Sequence, residues 1–225
     1  MRKFGFLAAL LIAVVGLLAA PFWILDAPTE ATMGFVQRIF YYHVPVAWLT
    51  FLSTFVCAVG SAAYLFKQSG KGDSLAVAAA ELTVVFGLCV LVTGPLWGRK
   101  AWGAWWVWRD PRLMTTLLLW FIFVAYSFVR RYGGPGSARL SAGLALFAAV
   151  DVPIIYKSVD FWRTQHPKST VVSTLAKEMK PPFFLALFTF TVLYFVLLAV
   201  RYRVEQSRRE LDSAYLAAEE AGVFD

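Results

Sequence analysis

The stretch that decides the fold is residues 75–112, LAVAAAELTVVFGLCVLVTGPLWGRKAWGAWWVWRDPR. Its first part, residues 75–96, is apolar and long enough to cross a bilayer, because about 20 such residues span the hydrocarbon core as a helix. Its second part, residues 97–112, places five tryptophans and four basic residues in one short link. An indole offers a broad apolar face and one N–H donor, so this cluster indicates a platform for a flat aromatic ligand at a membrane surface.

Similar apolar runs recur along the chain, and we predict membrane helices at residues 4–25, 44–66, 75–96, 113–130, 139–156 and 182–202. Charged residues make up only 16% of the sequence, whereas soluble domains have about a quarter. The N-terminal run continues past Pro21 to Leu25, so we expect it to remain as the first helix and not to act as a signal peptide. The sequence predicts an all-α polytopic membrane protein, with one six-helix domain over residues 1–202 and a charged helical tail over residues 203–225.

Counting the predicted crossings places His43, the tryptophan link and His166 on one side of the membrane, because two crossings separate each from the next. Both termini lie on the other side. Lys and Arg are nearly balanced, with eleven on the terminal side and ten on the histidine side. The basic residues cluster more tightly at helix ends on the terminal side, which favours cytoplasmic termini. An anionic ligand on the outer side would explain the basic residues that remain there.

The two histidines are the only ones in the chain, and neutral imidazole is a good ligand for haem iron. His43 lies near the start of the second helix, with Pro45 expected in its first turn. His166 lies in the link before the last helix. A position at the rim suits a site that loads and unloads its ligand. The tryptophans would contact the ring, with an interfacial aromatic belt as the alternative interpretation; they are Trp97, Trp102, Trp105, Trp106 and Trp108.

Several polar residues have open alternatives. We expect Asp110 and Arg112 to form a local ion pair, or Arg112 to reach a haem propionate with its planar guanidinium. Asp151 is expected to orient a ligand histidine or to pair with a loop arginine. Glu81 is expected to join two helices.

The positions of the cysteines argue against thiol redox chemistry, and the distribution of charge argues against nucleic-acid binding. Cys57 and Cys89 are far apart in the sequence and lie in apolar runs, so we expect them to be packing residues and not a redox pair. The net charge of +7 is spread over short loops and the tail, a pattern that does not indicate nucleic acid.

The motifs together resemble a known family. The run G-P-L-W-G at 94–98, W-G-x-W-W-V-W at 102–108 and D-x-R-L at 110–113 resemble the WWD signature of haem-handling proteins. With H-V-P-x-A-W at 43–48 and V-D-x-W…H at 159–166, nearly the whole chain resembles the haem exporter protein C family of bacterial System I cytochrome c maturation. The common form of the signature is W-D-x-R, whereas here Arg109 separates Trp108 from Asp110.

This resemblance implies a haem-binding protein that is not an enzyme. It implies haem b (iron protoporphyrin IX) at the periplasmic face, with His43 and His166 as axial ligands and the tryptophan loop, with Asp110 and Arg112, around the ring. The haem would pass to a periplasmic haem chaperone. The resemblance further implies a small single-span accessory subunit, ABC-type transporter subunits, and a multi-pass position among the lipids of the bacterial inner membrane with cytoplasmic termini.

Three other classes remain as alternatives. A b-type electron-transfer cytochrome would need axial histidines at membrane depth and usually a second haem, but two histidines supply one such site. A small-molecule permease should show broken helices and polar residues near the membrane midplane, and these spans have few. The larger WWD relatives of the other maturation system have more spans than this chain can hold.

Overall fold

The computed structural model describes residues 3–222, apart from the side chain at position 169. Six of its helices are long and apolar enough to cross a membrane. They are α1 (Lys3–Asp26), α2 (Phe40–Lys67), α3 (Gly70–Trp102), α4 (Pro111–Tyr132), α5 (Ser137–Phe161) and α6 (Lys180–Glu220). The described residues contain no β-strand, so the predicted all-α membrane fold is confirmed. The helical tail continues α6 without a break, and residues 223–225 lie outside the described residues.

Several helices are longer than the apolar runs predict. α3 continues to Trp102, so the prediction that Trp97 and Trp102 belong to a loop is wrong. Two basic residues in its last turn interact favourably with the helix dipole, and Gly103 ends the helix with a left-handed φ of 73°. α2 begins at Phe40, so Pro45 lies inside the helix and not in its first turn as predicted.

The centre of the bundle is a close pair formed by α2 and α3. A Cβ atom on Gly60 would lie 2.6 Å from the carbonyl oxygen of Gly72, so the two backbones touch at this point. Small residues allow such contact between membrane helices. α5 and α6 also pack against α2, and α4 packs against α5.

α1 lies at the edge of the bundle and packs against α6. Arg38 holds its C-terminal end, because its guanidinium donates to the carbonyl oxygens of Ile24, Leu25 and Ala27 at 3.0, 3.0 and 2.9 Å. The last carbonyls of a helix lack partners within the helix. Arg38, in the short 3-10 helix Phe35–Ile39 that leads into α2, therefore fixes this approach to the end of α1.

Ion pairs join the helices at the end of the bundle where the chain passes from α2 to α3. Asp73 of α3 contacts Arg130 of α4 at 2.8 Å and Arg209 of α6 at 2.5 Å. Glu81 accepts two hydrogen bonds from Arg201 of α6, at 2.5 and 2.7 Å. The prediction that Glu81 joins two helices is confirmed.

Four helices contain an interior proline, and all four prolines lie in the half of the bundle that holds His43 and His166. They are Pro21 in α1, Pro45 in α2, Pro95 in α3 and Pro153 in α5. Each removes one backbone hydrogen bond from its helix. Over the described residues, α4 and α6 have proline only in the first turn, where it removes none.

The two cysteines have different surroundings, and both are free. Cys57 is buried in the core between the helices, so the packing prediction is confirmed for this residue. Cys89 is exposed on the surface of α3, and the prediction is wrong there.

Candidate functional site: a cavity lined by two histidines and four tryptophans

A cavity of about 290 Å³ opens between α2, α3, α4 and the link that precedes α6. Most of its lining is apolar. Seven of the nine predicted site residues lie on its wall: His43, His166, Trp97, Trp102, Trp105, Trp106 and Arg112. The structure therefore brings together residues that are far apart in the sequence.

The two histidine rings face the same cavity at a short distance. Their centroids are 6.5 Å apart and their planes are inclined by 38°. Two imidazoles on opposite sides of one metal ion, each with a metal–nitrogen bond of about 2 Å, have centroids roughly 6.5 Å apart. The observed separation of the ring centroids matches this distance.

The hydrogen bonds of His43 determine which of its nitrogens is free. Its Nδ1 lies 2.8 Å from the Oγ1 of Thr93. The Thr93 hydroxyl donates its own proton to the carbonyl oxygen of Cys89 at 2.7 Å, so it accepts from Nδ1–H of the histidine. The lone pair is then on Nε2, the atom available to a metal. Sequence reasoning missed Thr93, because no local spacing marks a contact made across 50 residues.

His166 is held in the same tautomer by a different partner. Its Nδ1 lies 2.9 Å from the carbonyl oxygen of Pro167, which can only accept, so Nδ1 carries the proton and Nε2 the lone pair. Burial lowers the pKa of His166 to about 3, and the nearby Arg112 cation acts in the same direction. The ring is therefore neutral near pH 7, as a metal ligand must be.

Asp110 is buried, at 2% exposure, but it does not line the cavity. Its Oδ1 accepts from the backbone N–H groups of Arg112 and Leu113 at 3.0 and 3.2 Å and so caps α4. Its Oδ2 accepts from the Thr164 hydroxyl and the Gln165 N–H, both at 2.7 Å. No ion pair joins the side chains of Asp110 and Arg112, both of which the structure describes. The first of the two alternatives for this pair is thus not what the structure shows.

Two hydrogen-bond donors on the cavity wall lack partners within the described chain. They are Nη1 of Arg112 and Nε1 of Trp106, and both atoms are buried. Buried polar groups in proteins are almost always hydrogen-bonded. The two donors therefore indicate a ligand that brings acceptors, and a guanidinium favours an anionic one.

The tryptophans form edge-to-face pairs and no single flat floor. The rings of Trp97 and Trp102 are 5.4 Å apart at 86°, and those of Trp106 and Trp108 are 6.1 Å apart at 66°. Gly98 allows the first pair to form, because a Cβ atom there would lie 2.9 Å from the Trp102 ring. Trp108 is 70% exposed and is not part of the cavity wall.

Asp151 does not take the role expected of it. It is buried in α5, and its Oδ2 has no hydrogen-bond partner. It forms no bond with a histidine or an arginine anywhere in the described part of the chain. The prediction that Asp151 orients a ligand histidine or pairs with a loop arginine is wrong: the Nδ1 atom of each histidine already has another partner, and none of the described ion pairs includes Asp151.

Fold and site together define a class: a polytopic helical membrane protein with a cavity where two histidines meet tryptophan rings and an arginine whose Nη1 has no partner in the described chain. The family model described as heme exporter protein C (CcmC) matches residues 1–217. The chain belongs to the heme exporter protein C family.

Relatives from different organisms show the same similarity. Heme exporter protein C of Bradyrhizobium diazoefficiens is 34% identical over 193 residues, which cover 83% of this chain and 73% of the relative. Heme exporter protein C of Escherichia coli (strain K12) is 35% identical over 184 residues, covering 79% and 73%. A ccmC-like mitochondrial protein of Marchantia polymorpha, whose name refers to cytochrome c biosynthesis, is 32% identical over 177 residues, covering 76% and 75%.

Proposed function

We propose that this protein binds haem in the cavity between its two histidines and passes it on for cytochrome c maturation. Membership of the heme exporter protein C family supports the general role in haem handling. The finer proposal, axial ligation by His43 and His166, depends mainly on one observation: two imidazoles whose Nδ1 atoms are hydrogen-bonded, and whose Nε2 atoms are free, have ring centroids 6.5 Å apart in one cavity.

The composition of the site favours a porphyrin over a bare metal ion. Within residues 3–222, no group of three or more His, Cys, Asp or Glu side chains is arranged to hold a metal. Two imidazoles alone leave most coordination positions of a metal empty, and a porphyrin supplies four nitrogens. The histidines lie in the first turn of α2 and in a link, and not in the middle of a membrane helix, which favours transfer over permanent binding as in a cytochrome.

The remaining wall fits the other parts of haem b. Trp97, Trp102, Trp105 and Trp106 would contact the ring, and Arg112 would bind a propionate with its free Nη1. Neither described cysteine lines the cavity, so nothing there would attach haem covalently through a thioether.

The proposal extends to the surroundings of the protein. The termini are cytoplasmic in the bacterial inner membrane, and the cavity faces the periplasm, where a haem chaperone accepts the haem. Trp105 and Trp108, which are 57% and 70% exposed, offer that chaperone an aromatic contact surface. A small single-span subunit and ABC-type transporter subunits complete the assembly. The protein itself binds and transfers haem and is not an enzyme.

Optical spectroscopy of the purified protein with haem tests the ligation. We expect a low-spin, six-coordinate spectrum. His43→Ala and His166→Ala should each give a high-spin, five-coordinate spectrum that added imidazole converts back to low spin. If the double variant keeps the haem content and the low-spin spectrum, the assignment of this pair as ligands is wrong.

A further inference from the structure

The two histidines are anchored in different ways. His43 belongs to α2, and its side-chain partner Thr93 belongs to α3, so two long helices fix this ring. His166 lies in residues 162–168, where the chain has no regular helix between α5 and α6. Within the described residues, its ring bonds to one partner, the carbonyl oxygen of the next residue, which moves with it. Something else must hold this part of the link in place.

That holding contact comes from Asp110. Its Oδ2 accepts hydrogen bonds from the Thr164 hydroxyl and the Gln165 N–H, both at 2.7 Å. The oxygen of the same hydroxyl accepts from the backbone N–H of His166 at 3.1 Å. Carboxylate, hydroxyl and histidine backbone thus form a continuous chain of hydrogen bonds. Bonds to an ionised acceptor are about twice as strong as neutral ones.

The second oxygen of the carboxylate connects this contact to the cavity wall. Oδ1 caps α4 through the N–H groups of Arg112 and Leu113, and both side chains line the cavity. One buried carboxylate therefore sets the position of the histidine link relative to the start of α4. Neither hydrogen bond of the His43 ring system involves Asp110.

We infer that Asp110 is a positioning residue that holds His166 in the cavity and so determines how firmly this ligand stays on the iron. The inference rests on the proposed function and deepens it. His43 keeps its place when the Asp110 contact is broken, whereas His166 moves away with the link. Asp110, which does not line the cavity, thereby controls how readily His166 leaves the iron.

Two kinds of variant separate this role from a role in folding. Asp110→Asn keeps an oxygen that can cap α4 but replaces the second acceptor with an NH₂ group, which cannot accept from Thr164 or Gln165. Thr164→Val removes the hydroxyl and leaves the cap of α4 intact, while Thr164→Ser keeps the hydroxyl. Thr174→Val is the matched control, because Thr174 lies in the same link and its hydroxyl bonds only to nearby carbonyls.

The experiment is a titration of the full-length protein in detergent with haem, followed by optical spectra with and without imidazole. We expect Asp110→Asn and Thr164→Val to become five-coordinate and high-spin and to retain haem about tenfold less tightly, the lower end of the losses seen when groups that support a metal ligand are removed. Imidazole should restore the low-spin spectrum in both, as in His166→Ala. Thr164→Ser and Thr174→Val should behave like the unchanged protein.

The outcomes distinguish this inference from the proposed function. If His166→Ala loses the low-spin spectrum while Asp110→Asn and Thr164→Val keep it with unchanged affinity, the inference is wrong and the ligation stands. If His166→Ala keeps the low-spin spectrum and the haem affinity, His166 is not a ligand and the proposed function is wrong in this point. Should Asp110→Asn not accumulate in the membrane, Thr164→Val decides, because its α4 cap is unchanged.

Discussion

At the scale of single residues, the chemistry of the site depends on what the Nδ1 atoms of the two histidines contact. A hydrogen bond from Nδ1–H makes the imidazole a more basic ligand and fixes its orientation. His43 donates this bond to the hydroxyl of Thr93, and His166 donates it to the carbonyl oxygen of Pro167. Both partners are neutral, so neither ring gains the strong basicity that a carboxylate partner would give.

Replacing Thr93 by valine should weaken the His43–iron bond, because the valine cannot accept from Nδ1–H. We expect the midpoint potential of the bound haem to rise, since a less basic ligand stabilises ferric iron less. Redox titration measures this shift. Thr93→Ser should restore the original potential, and Thr83→Val is the control, because that hydroxyl bonds only to the Ala79 carbonyl of its own helix. An unchanged potential in Thr93→Val would contradict the role of this hydroxyl.

Acid should not release His166 from haem in the usual pH range. A free histidine with the ordinary pKa of about 6.5 is largely protonated by about pH 5, but in the protein without haem burial already lowers the pKa of His166 to about 3, and coordination to iron opposes protonation further. The low-spin spectrum should therefore persist down to about pH 5.

The same pKa has a consequence for stability without haem. The unfolded chain takes up this proton below about pH 6.5, and the folded chain does so only near pH 3. The free energy of unfolding should therefore fall with decreasing pH in that window, and less steeply in His166→Ala. Thermal unfolding at several pH values checks this, and equal slopes would contradict the assigned pKa.

Arg112→Gln should reduce haem retention by roughly tenfold or more, because a hydrogen bond to a charged group contributes about 1.5–3 kcal/mol. Arg131→Gln, a change on the opposite side of the bundle, should have no effect. Haem titration of both variants measures the difference. With haem whose propionates are esterified, the two variants should bind equally, and a persistent difference would argue against propionate binding by Arg112.

At the scale of helices, the Asp73 network should matter more than any exposed ion pair. Asp73→Asn leaves Arg130 and Arg209 without their acidic partner and should lower the free energy of unfolding by about 1–3 kcal/mol, because Asp73 is buried while the two arginines are partly exposed. Asp160→Asn, which breaks the exposed Lys157 pair, should cost about 0–1 kcal/mol. Thermal unfolding in detergent compares them, and equal losses would show that the Asp73 network adds little.

The apolar runs predict the number and order of the helices, but not where α3 ends. The segment around Trp97 mixes aromatic and basic residues, which resembles a link in the sequence, whereas the structure continues the helix to Trp102. The even number of predicted membrane crossings between the two histidines places both on one face, and the structure brings them together. The contacts of Thr93 with His43 and of Asp110 with Thr164 cross 50 and 54 residues, so no local pattern reveals them.

At the scale of the whole molecule, the topology makes a prediction about accessibility. In a variant without Cys57 and Cys89, we expect Arg109→Cys to react with a membrane-impermeant thiol reagent on intact cells, because it lies on the cavity side proposed to be periplasmic. Gln68→Cys, in the link between α2 and α3, should react only after lysis. The reverse result would overturn the proposed orientation, and labelling of both in intact cells would contradict the six-helix arrangement.

Because of where the interior prolines lie, we expect the two halves of the bundle to differ in stiffness. Pro21, Pro45, Pro95 and Pro153 interrupt their helices only in the cavity half, and helices kink most readily where a backbone hydrogen bond is missing. The opposite half has uninterrupted helices joined by the Asp73 and Glu81 ion pairs. We therefore expect a strain imposed at the cavity to be taken up as local bending of these helices, with little of it reaching the far end of the bundle. On this expectation, the cavity would change its width while the ion-paired half of the bundle keeps its shape.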